Sequence, residues 1–288
     1  MKKNPTNSVT ADTLPPRNPP SGFVTQIKGS TTCILRCQWE EELLASGILT
    51  GGPGSTPMGQ TALPGGRGSV SIITLPNVGA VVLRRYRRGG LIGKVLVDRY
   101  LSGTRPFREL SVLALARARG VPVPDAMGAS SIRVGILWHR GRIATRLIPG
   151  ARTLPVFIEK NRGNGALVAR VLEGAGKAIR RMHEAGIDHA DLNMNNVLVD
   201  DNDVVHIIDF DKAVFCRRLG LRWRIRNLRR LLRSLRKLKA AGRLLEEGDF
   251  AEIIRGYTAD DPALSAVIEK KTLRSRLLAL RSAAGKIF

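Results

Sequence analysis

Short apolar runs bounded by glycine, proline and polar turns dominate the first half of the chain, a pattern typical of β-strands. Four such runs occur as two pairs, and the turn at Pro76-Asn77 joins the first pair into a predicted hairpin. Between the pairs, apolar residues recur at helical spacing from Glu109 until Gly120, which indicates a helix over 109–119. The predicted strands are 70–75, 79–83, 132–137 and 143–148.

The second half of the chain has the longer spacing of amphipathic helices. From Leu167 to Ala185 the apolar residues fall on one helical face, and Gly186 is placed to end that helix. Two short strands are predicted next, at 197–199 and 204–208, around a turn rich in Asp. Because strands come early and helices late, the sequence predicts an α+β protein.

The same pattern predicts where the chain divides. A β-rich N-terminal lobe is expected over 23–148, and a helical C-terminal lobe over 149–288, since Pro149-Gly150 breaks the strand pattern. Residues 1–22 carry five prolines and few apolar side chains, which predicts a disordered tail.

Composition narrows the class of protein. The chain has 288 residues, 43% of them hydrophobic, with no apolar run long enough for a membrane span and no secretory signal at its start. Three cysteines are too few for a disulfide framework and indicate a reducing cytosol. The net charge of +23 predicts a polyanionic partner, which is nucleic acid, anionic lipid or a phosphorylated substrate. Since only 5% of residues are aromatic, base-stacking platforms are disfavoured.

Three polar residues around the second predicted strand pair have the spacing of a phosphotransferase site. Asp191 precedes Asn196 by five residues, and Asp209 follows at the end of an apolar run. In the protein-kinase fold, one Asp orients the acceptor hydroxyl, and the Asn and second Asp bind Mg²⁺ that bridges the phosphates of ATP. The alternative is a plain hairpin whose turn acids are solvated. The sequence therefore predicts Asp191 as catalytic and Asn196 and Asp209 as metal ligands in a two-lobed, protein-kinase-like fold.

Nucleotide-binding residues are predicted in the first lobe. Gly66 and Gly68 precede a strand by a few residues, where a loop covering phosphates is expected, although a plain turn has the same sequence. On the following strand Arg84 is the predicted phosphate-binding cation, with Glu109 as its helix partner. Lys94 competes with Arg84 for this role, and Glu109 also fits an ordinary acid at a helix N-terminus.

Two further features are open from the sequence. Asp211 either assists at the metal or pairs with a nearby Arg, and His189 supports its loop by hydrogen bonding rather than acting as a base. The segment Arg217–Arg243 holds twelve Lys or Arg residues and apolar residues at helical spacing. It predicts a basic amphipathic helix that docks on an anionic membrane, packs on the lobe with a solvated basic face, or does both. We expect Arg226, Arg229, Arg233 and Arg236 on its exposed face.

Beyond these residues, the chain resembles the lipopolysaccharide core kinases over about residues 66–237. The Arg-Tyr-Arg-Arg-Gly-Gly segment at 85–90 and the Asp-Leu-Asn segment at 191–193 are more specific than the kinase triad. In this family an Arg replaces the usual phosphate-binding Lys, which agrees with Arg84. The segments that carry the resemblance are 66–68, 82–91, 93–94, 98–100, 107–109, 120–124, 189–193, Asn196, 209–212 and 227–231.

The resemblance implies ATP-dependent phosphorylation of 3-deoxy-D-manno-octulosonic acid (Kdo) on a lipid A precursor, at its 4-hydroxyl. It implies a peripheral enzyme on the cytoplasmic face of the inner membrane, held at an anionic surface, and no nucleic-acid partner. Two alternatives remain from the sequence. One is a kinase of the same fold that acts on another sugar, small molecule or protein. The other is a basic nucleic-acid-binding protein with an inactive kinase fold.

Overall fold

A computed structural model describes residues 19–51, 70–86, 103–135, 138–259 and 261–268, with Lys270 and the backbone of 61–62. The described residues divide into two compact units. The first contains those up to Arg119 and Val123–Ile148, and the second contains Gly120–Pro122 and those from Pro149 onward.

The first unit is built on one antiparallel sheet. Its described strands are β1 (Phe23–Lys28), β2 (Thr31–Arg36), β3 (Thr61–Ala62), β4 (Val70–Leu75), β5 (Gly79–Arg85), β6 (Ala126–Val134) and β7 (Trp138–Arg146). They lie in the order β1-β2-β6-β7-β5-β4-β3. Every described pairing in this sheet is antiparallel. The strand order also brings together strands that are distant in sequence, such as β5 and β7.

Two helices accompany this sheet. Helix α1 (Glu40–Ala45) buries Leu43 in a core formed largely by the strands, where Leu35, Val81 and Met127 are almost fully excluded from solvent. Helix α2 (Arg105–Ala118) packs on β6. It is followed by Gly120 with φ +71°, a left-handed conformation that glycine adopts without a steric penalty.

The second unit is mainly helical. Its helices are α3 (Leu154–Lys160), α4 (Gly165–Glu184), α5 (Leu221–Ala240) and α6 (Glu247–Thr258), and its short strands are β8 (Arg152–Thr153), β9 (Ile187–Asp188), β10 (Val197–Val199), β11 (Val205–Ile207) and β12 (Val214–Phe215). Strands β8, β10 and β11 form one small sheet, and β9 pairs with β12. These two small sheets set the ends of the loops that carry the candidate site.

Helix α4 is the central contact of this unit, because it packs closely along α6. A Cβ atom on Gly176 would lie 2.1 Å from the Ile253 carbonyl oxygen, and one on Gly256 would lie 2.1 Å from the Glu173 carbonyl oxygen. Glycine at both positions therefore permits the two backbones to approach. Asn164 caps the start of α4, where its side chain accepts a hydrogen bond from Leu167 N at 3.1 Å.

Most predicted elements are present, with shifts that have physical causes. The hairpin β4–β5, helix α4 and the β10–β11 hairpin are confirmed. Strand β6 begins six residues earlier than predicted, since its first half is made of small residues. Gly128 shows why: a Cβ there would lie 2.9 Å from Leu49 Cδ1. Strands β1 and β2 were missed, because their mixed Thr, Gln and Lys content hides the apolar alternation.

Several predictions fall on residues that the structure does not describe. Residues 1–18 of the predicted disordered tail lie outside the described residues. The Gly-rich loop with Gly66 and Gly68 and the residue Lys94 also lie outside them. In the described part of the chain, none of the helices combines the length and apolar character that crossing a bilayer requires.

Candidate active site

The loop with Asp191 begins where strand β9 ends. Ala190 adopts φ 58°, and its backbone N–H donates to Asp188 Oδ1 at 3.2 Å. The Asp191 N–H donates to the His189 carbonyl oxygen at 2.7 Å. The loop therefore turns sharply while its backbone stays hydrogen bonded, and the Asp191 side chain is left half exposed.

His189 is a buried residue that anchors this loop. Its side chain is fully buried, and Nε2 lies 2.9 Å from the Ile208 carbonyl oxygen. Because a carbonyl can only accept, Nε2 carries the proton, and Nδ1 is buried without a hydrogen-bond partner. Burial lowers the pKa of His189 below its usual range. A neutral imidazole bonded to the backbone directly after β11 fits a supporting role for this residue.

Asn196 connects the Asp191 loop to the loop with Asp209. Its Nδ2 donates to the Asp191 carbonyl oxygen at 3.1 Å, and its own carbonyl accepts from Ile208 N at 3.0 Å. No described residue forms a hydrogen bond to Asn196 Oδ1. Asp209, the next residue after Ile208, has φ 66°, so its backbone leaves the strand in a left-handed turn.

These oxygen donors fit a magnesium ion. Asn196 offers an amide oxygen and Asp209 a carboxylate, which are ligands of the type that Mg²⁺ prefers. The described residues contain no cluster of three or more His, Cys, Asp or Glu side chains that could enclose a metal. Mg²⁺ needs no such enclosure, because it keeps waters and binds phosphate oxygens alongside one or two protein ligands. Asn196 and Asp209 are therefore suitable candidate ligands for this ion.

Lys212 contacts the candidate catalytic carboxylate directly. Its Nζ donates to Asp191 Oδ2 at 3.0 Å. The turn that presents Lys212 is held by Phe210, whose side chain is fully buried and whose carbonyl accepts from Ala213 N at 2.9 Å. The sequence predicted no role for Lys212 beyond its place in the family resemblance, because the kinase motifs do not include a cation after Asp-Phe-Asp.

A buried polar cluster supports the Asp191 loop from the helices. Asn227 of α5 donates from Nδ2 to Asp188 Oδ1 at 3.0 Å and to His183 Nε2 at 3.2 Å. His183 Nδ1 lies 2.8 Å from the Tyr257 hydroxyl, and Arg226 forms an ion pair with Asp188. Asp188 thus accepts from Asn227 and from the Ala190 backbone at the same oxygen. Helices α4, α5 and α6 fix the start of the loop through side chains.

His183 at the centre of this cluster is neutral. Since Asn227 Nδ2 donates to Nε2, the ring proton lies on Nδ1 and points to Tyr257. Burial, with a smaller contribution from nearby Arg224, lowers the pKa of His183 to about 3. Asp188 and His183 had no motif signal in the sequence. Their roles depend on contacts that only the folded chain creates.

In the first unit, the structure joins Arg84 and Glu109. The Arg84 guanidinium at the end of β5 forms an ion pair with the Glu109 carboxylate on α2. The Tyr86 hydroxyl also donates to Glu109, and the Arg84 guanidinium carbon lies 4.9 Å from the centre of the Tyr86 ring. The Glu109 side chain is only 3% exposed and that of Arg84 is 27% exposed. Arg84 and Tyr86 thus both compensate the buried acid, and the Arg84 side chain is partly exposed.

The basic helix is present as α5, over Leu221–Ala240, but two of its predicted exposed residues are engaged. Arg226 pairs with Asp188 and its guanidinium carbon lies 3.7 Å from the centre of the Trp223 ring, while Arg236 Nε donates to Glu247 Oε1 at 3.0 Å. Both side chains are only partly exposed, at 39% and 37%, because each pairs with an acid that helical periodicity cannot reveal. The exposed basic positions of α5 are Arg222, Arg229, Arg233, Lys237 and Lys239.

A scan against protein families matches residues 65–257 to the lipopolysaccharide kinase (Kdo/WaaP) family. Among curated proteins, a 3-deoxy-D-manno-octulosonic acid kinase of Stenotrophomonas maltophilia (strain K279a) is 40% identical over 214 residues, which cover 72% of this chain and 80% of that protein. The protein of the same name from Vibrio vulnificus (strain YJ016) is 36% identical over 197 residues, covering 67% of this chain and 80% of its own.

Comparison with solved structures agrees on the fold. A structure described as WaaP in complex with acyl carrier protein aligns with a TM-score of 0.51 and 18% identity, covering 84% of this chain and 98% of that one. At this identity the likeness concerns the fold, which is protein-kinase-like and α+β. The family match covers residues 65–257, which include the Asp191, Asn196 and Asp209 loops. The chain belongs to the lipopolysaccharide kinase (Kdo/WaaP) family.

Proposed function

We propose that the chain is an ATP-dependent kinase that phosphorylates the 4-hydroxyl of Kdo on a Kdo-bearing lipid A precursor during lipopolysaccharide core biosynthesis. The observation that carries the proposal is the link between the two loops of the second unit. Asn196 bonds to the backbone of Asp191 through its side chain and to Ile208, beside Asp209, through its own backbone. Membership of a kinase family and the names of the curated relatives supply the reaction class and the sugar.

Asp191 is the catalytic residue in this proposal. Its carboxylate accepts a hydrogen bond from the Kdo 4-hydroxyl and takes its proton as the oxygen attacks the γ-phosphorus atom of ATP, with ADP leaving. The half-exposed side chain on a hydrogen-bonded loop supports this role, because a base must be reachable and also held in place.

Asn196 and Asp209 hold Mg²⁺ in this proposal, and the ion supplies charge neutralisation at the phosphates. Asp209 lies in a left-handed turn two residues after β11, and the hydrogen bond of the Asn196 side chain to Asp191 uses its Nδ2 rather than its Oδ1. Asp211 follows Asp209 by two residues and either assists at the ion or pairs with a nearby Arg. The donor set, rather than any bound ion, supports the choice of a hard divalent cation.

The nucleotide phosphates are assigned to the first unit. Arg84 is the proposed phosphate-binding cation, and Glu109 holds its guanidinium in position. The role of Gly66 and Gly68 as a phosphate-covering loop stays a prediction that lies outside the described residues. The ion pair with the buried Glu109 carboxylate supports this role, because it orients a guanidinium group whose side chain is 27% exposed and can be reached by a ligand.

The proposed place of action is the anionic surface of the inner membrane, on its cytoplasmic face. The acceptor carries phosphates and a lipid, and the chain has a net charge of +23. The exposed basic face of α5 offers a region where several cations can meet lipid headgroups together.

The test of this function is a transfer assay with radiolabelled ATP and purified chain. Three acceptors are compared: Kdo-bearing lipid A precursor, the same precursor without Kdo, and a soluble protein mixture. We expect label only on the Kdo-bearing lipid. Equal labelling of the precursor without Kdo, or of protein, would show that the acceptor is another group.

A further inference from the structure

A contribution to the stability of the fold does not explain the ion pair between Lys212 and Asp191. The Lys212 side chain is 63% exposed and that of Asp191 is 50% exposed, so the pair lies in water at the surface of its unit. Exposed ion pairs contribute little to the stability of a fold, because solvent screens them and side-chain freedom is lost. The contact nevertheless brings a cation to the carboxylate that is proposed to receive the acceptor proton.

The residues around Lys212 fix the position of its backbone, while its exposed side chain can change conformation. Phe210, two residues earlier, is fully buried, with its ring 4.9 Å from that of His189. Ala213, the next residue, donates to the Phe210 carbonyl at 2.9 Å. A fixed backbone and a flexible four-carbon stem let the ammonium exchange one anionic partner for another nearby.

The residues that follow Asp191 supply no cation themselves. Asn193, two positions on, donates to the Asp191 carbonyl at 3.0 Å and accepts from Asn195 N at 3.0 Å, so its side chain is used within the loop. Within the described part of the chain, the cation that forms an ion pair with the Asp191 carboxylate is Lys212.

We propose that Lys212 is a second catalytic residue, which rests on Asp191 in the free enzyme and moves to the transferred phosphoryl group during the reaction. The inference depends on the proposed phosphotransfer at Asp191. The new bond joins the acceptor oxygen to phosphorus, the bond from phosphorus to the ADP oxygen breaks, and the acceptor proton goes to Asp191. Lys212 stays protonated throughout and donates hydrogen bonds to the non-bridging oxygens, where it stabilises their charge.

The release of Asp191 is part of the same proposal. In the ion pair, Asp191 Oδ2 already accepts a hydrogen bond from Lys212, so this oxygen becomes available to the acceptor hydroxyl once the ammonium group has moved away. As negative charge builds up on the non-bridging oxygens in the transition state, these oxygens compete with Asp191 for Lys212. The same side chain thus pairs with Asp191 in the free enzyme and with the transferred phosphoryl group in the transition state.

The experiment compares Lys212→Ala and Lys212→Arg with the wild type. We expect Lys212→Ala to lower kcat by about 10²–10³-fold, with KM for ATP changed less than about threefold, because the contact is made mainly in the transition state. Lys212→Arg should recover part of kcat. The basal hydrolysis of ATP in the absence of acceptor should fall in parallel. Lys177→Ala is the matched control, since Lys177 is an exposed lysine of α4 and should leave both activities unchanged.

A binding measurement separates catalysis from loop support. ADP with magnesium and fluoride mimics the transferred phosphoryl group, and Lys212→Ala should bind this mixture about 10²-fold more weakly while binding ADP with magnesium normally. Unchanged affinity for the fluoride complex would overturn the proposal and leave Lys212 as a positioning residue for Asp191. A kcat within about threefold of the wild type would overturn it as well. Basal hydrolysis with no transfer to the Kdo lipid would refute the proposed acceptor alone, because the Lys212 comparison needs no acceptor.

Discussion

At the scale of single residues, the account depends most on Asp191. We expect Asp191→Ala to reduce phosphate transfer by about 10²–10⁴-fold or more, because both the base and the orientation of the hydroxyl are lost. ATP binding and the melting temperature should stay near those of the wild type, since the side chain is half exposed. Steady-state transfer and nucleotide titration measure these two quantities. A variant with more than about a tenth of wild-type turnover would exclude Asp191 as the catalytic residue.

Asp209 is tested through the metal requirement. Asp209→Asn removes a charged ligand, so we expect the Mg²⁺ concentration for half-maximal activity to rise by roughly tenfold or more. Asp201→Asn is a suitable control, because Asp201 is an exposed turn acid of the same unit that pairs with Arg152 at 3.5 Å. Identical magnesium titrations of Asp209→Asn and the wild type would contradict the assignment.

At the scale of elements, the sequence predicted those with strong periodicity and missed those defined by contacts. Helix α4 has its apolar residues on one face, and the β10–β11 hairpin has a turn rich in Asp, so both were recognised. Strand β6 was placed late, because close packing at Gly128 requires small residues that carry little apolar signal.

The same distinction applies to the candidate site. Asp191, Asn196 and Asp209 have a spacing that the kinase mechanism explains, and the sequence therefore predicts them as site residues. Asp188 is bound by Asn227, and Lys212 contacts Asp191. In both pairs the two residues are distant in sequence. No local pattern encodes such a pairing, since it arises only when helices and loops pack together.

The buried cluster that joins α4, α5 and α6 makes a prediction about acid stability. His183 has a pKa of about 3 in the folded chain against about 6.5 when unfolded, so the unfolded state binds more protons as the pH falls below 6.5. The stability that neutral His183 provides is complete above about pH 6.5 and is progressively lost toward pH 3. Urea unfolding between about pH 7 and pH 4 should show this loss in the wild type.

His183→Gln is the comparison, because glutamine does not titrate. It should be less stable than the wild type at neutral pH, since hydrogen bonds to Tyr257 and Asn227 are disturbed. Its stability should change less steeply with acid. Some slope should remain, because His189 also has a lowered pKa through burial. Parallel curves for the two proteins would show that His183 is not the group responsible.

At the scale of the whole molecule, the excess positive charge is the main feature to be tested. Replacing four exposed basic residues of α5 by Glu should abolish binding to vesicles of anionic lipid, since each basic residue near such a surface contributes about 1 kcal/mol. The residues are Arg222, Arg229, Arg233 and Lys237. Wild-type binding should also weaken with added salt, because screening shortens the reach of surface charge. Vesicle co-sedimentation measures both effects.

A control with the same net charge separates the helix from the overall field. Four exposed basic residues outside α5 are reversed to Glu in that control: Lys28, Arg133, Arg140 and Lys160. If α5 is the docking surface, this variant should keep most of its vesicle binding. Equal losses in the two quadruple variants would mean that total charge alone attracts the chain to the membrane.

The central claim, that the chain phosphorylates Kdo at its 4-hydroxyl, is tested most directly by the structure of the reaction product. Kdo-bearing lipid A precursor is incubated with ATP, magnesium and the purified chain, and the lipid product is examined by phosphorus–proton correlation spectroscopy. The account predicts one new phosphate, coupled to the proton at carbon 4 of Kdo and absent from the reaction with Asp191→Ala. A new phosphate on any other carbon, or an unchanged lipid, would contradict it.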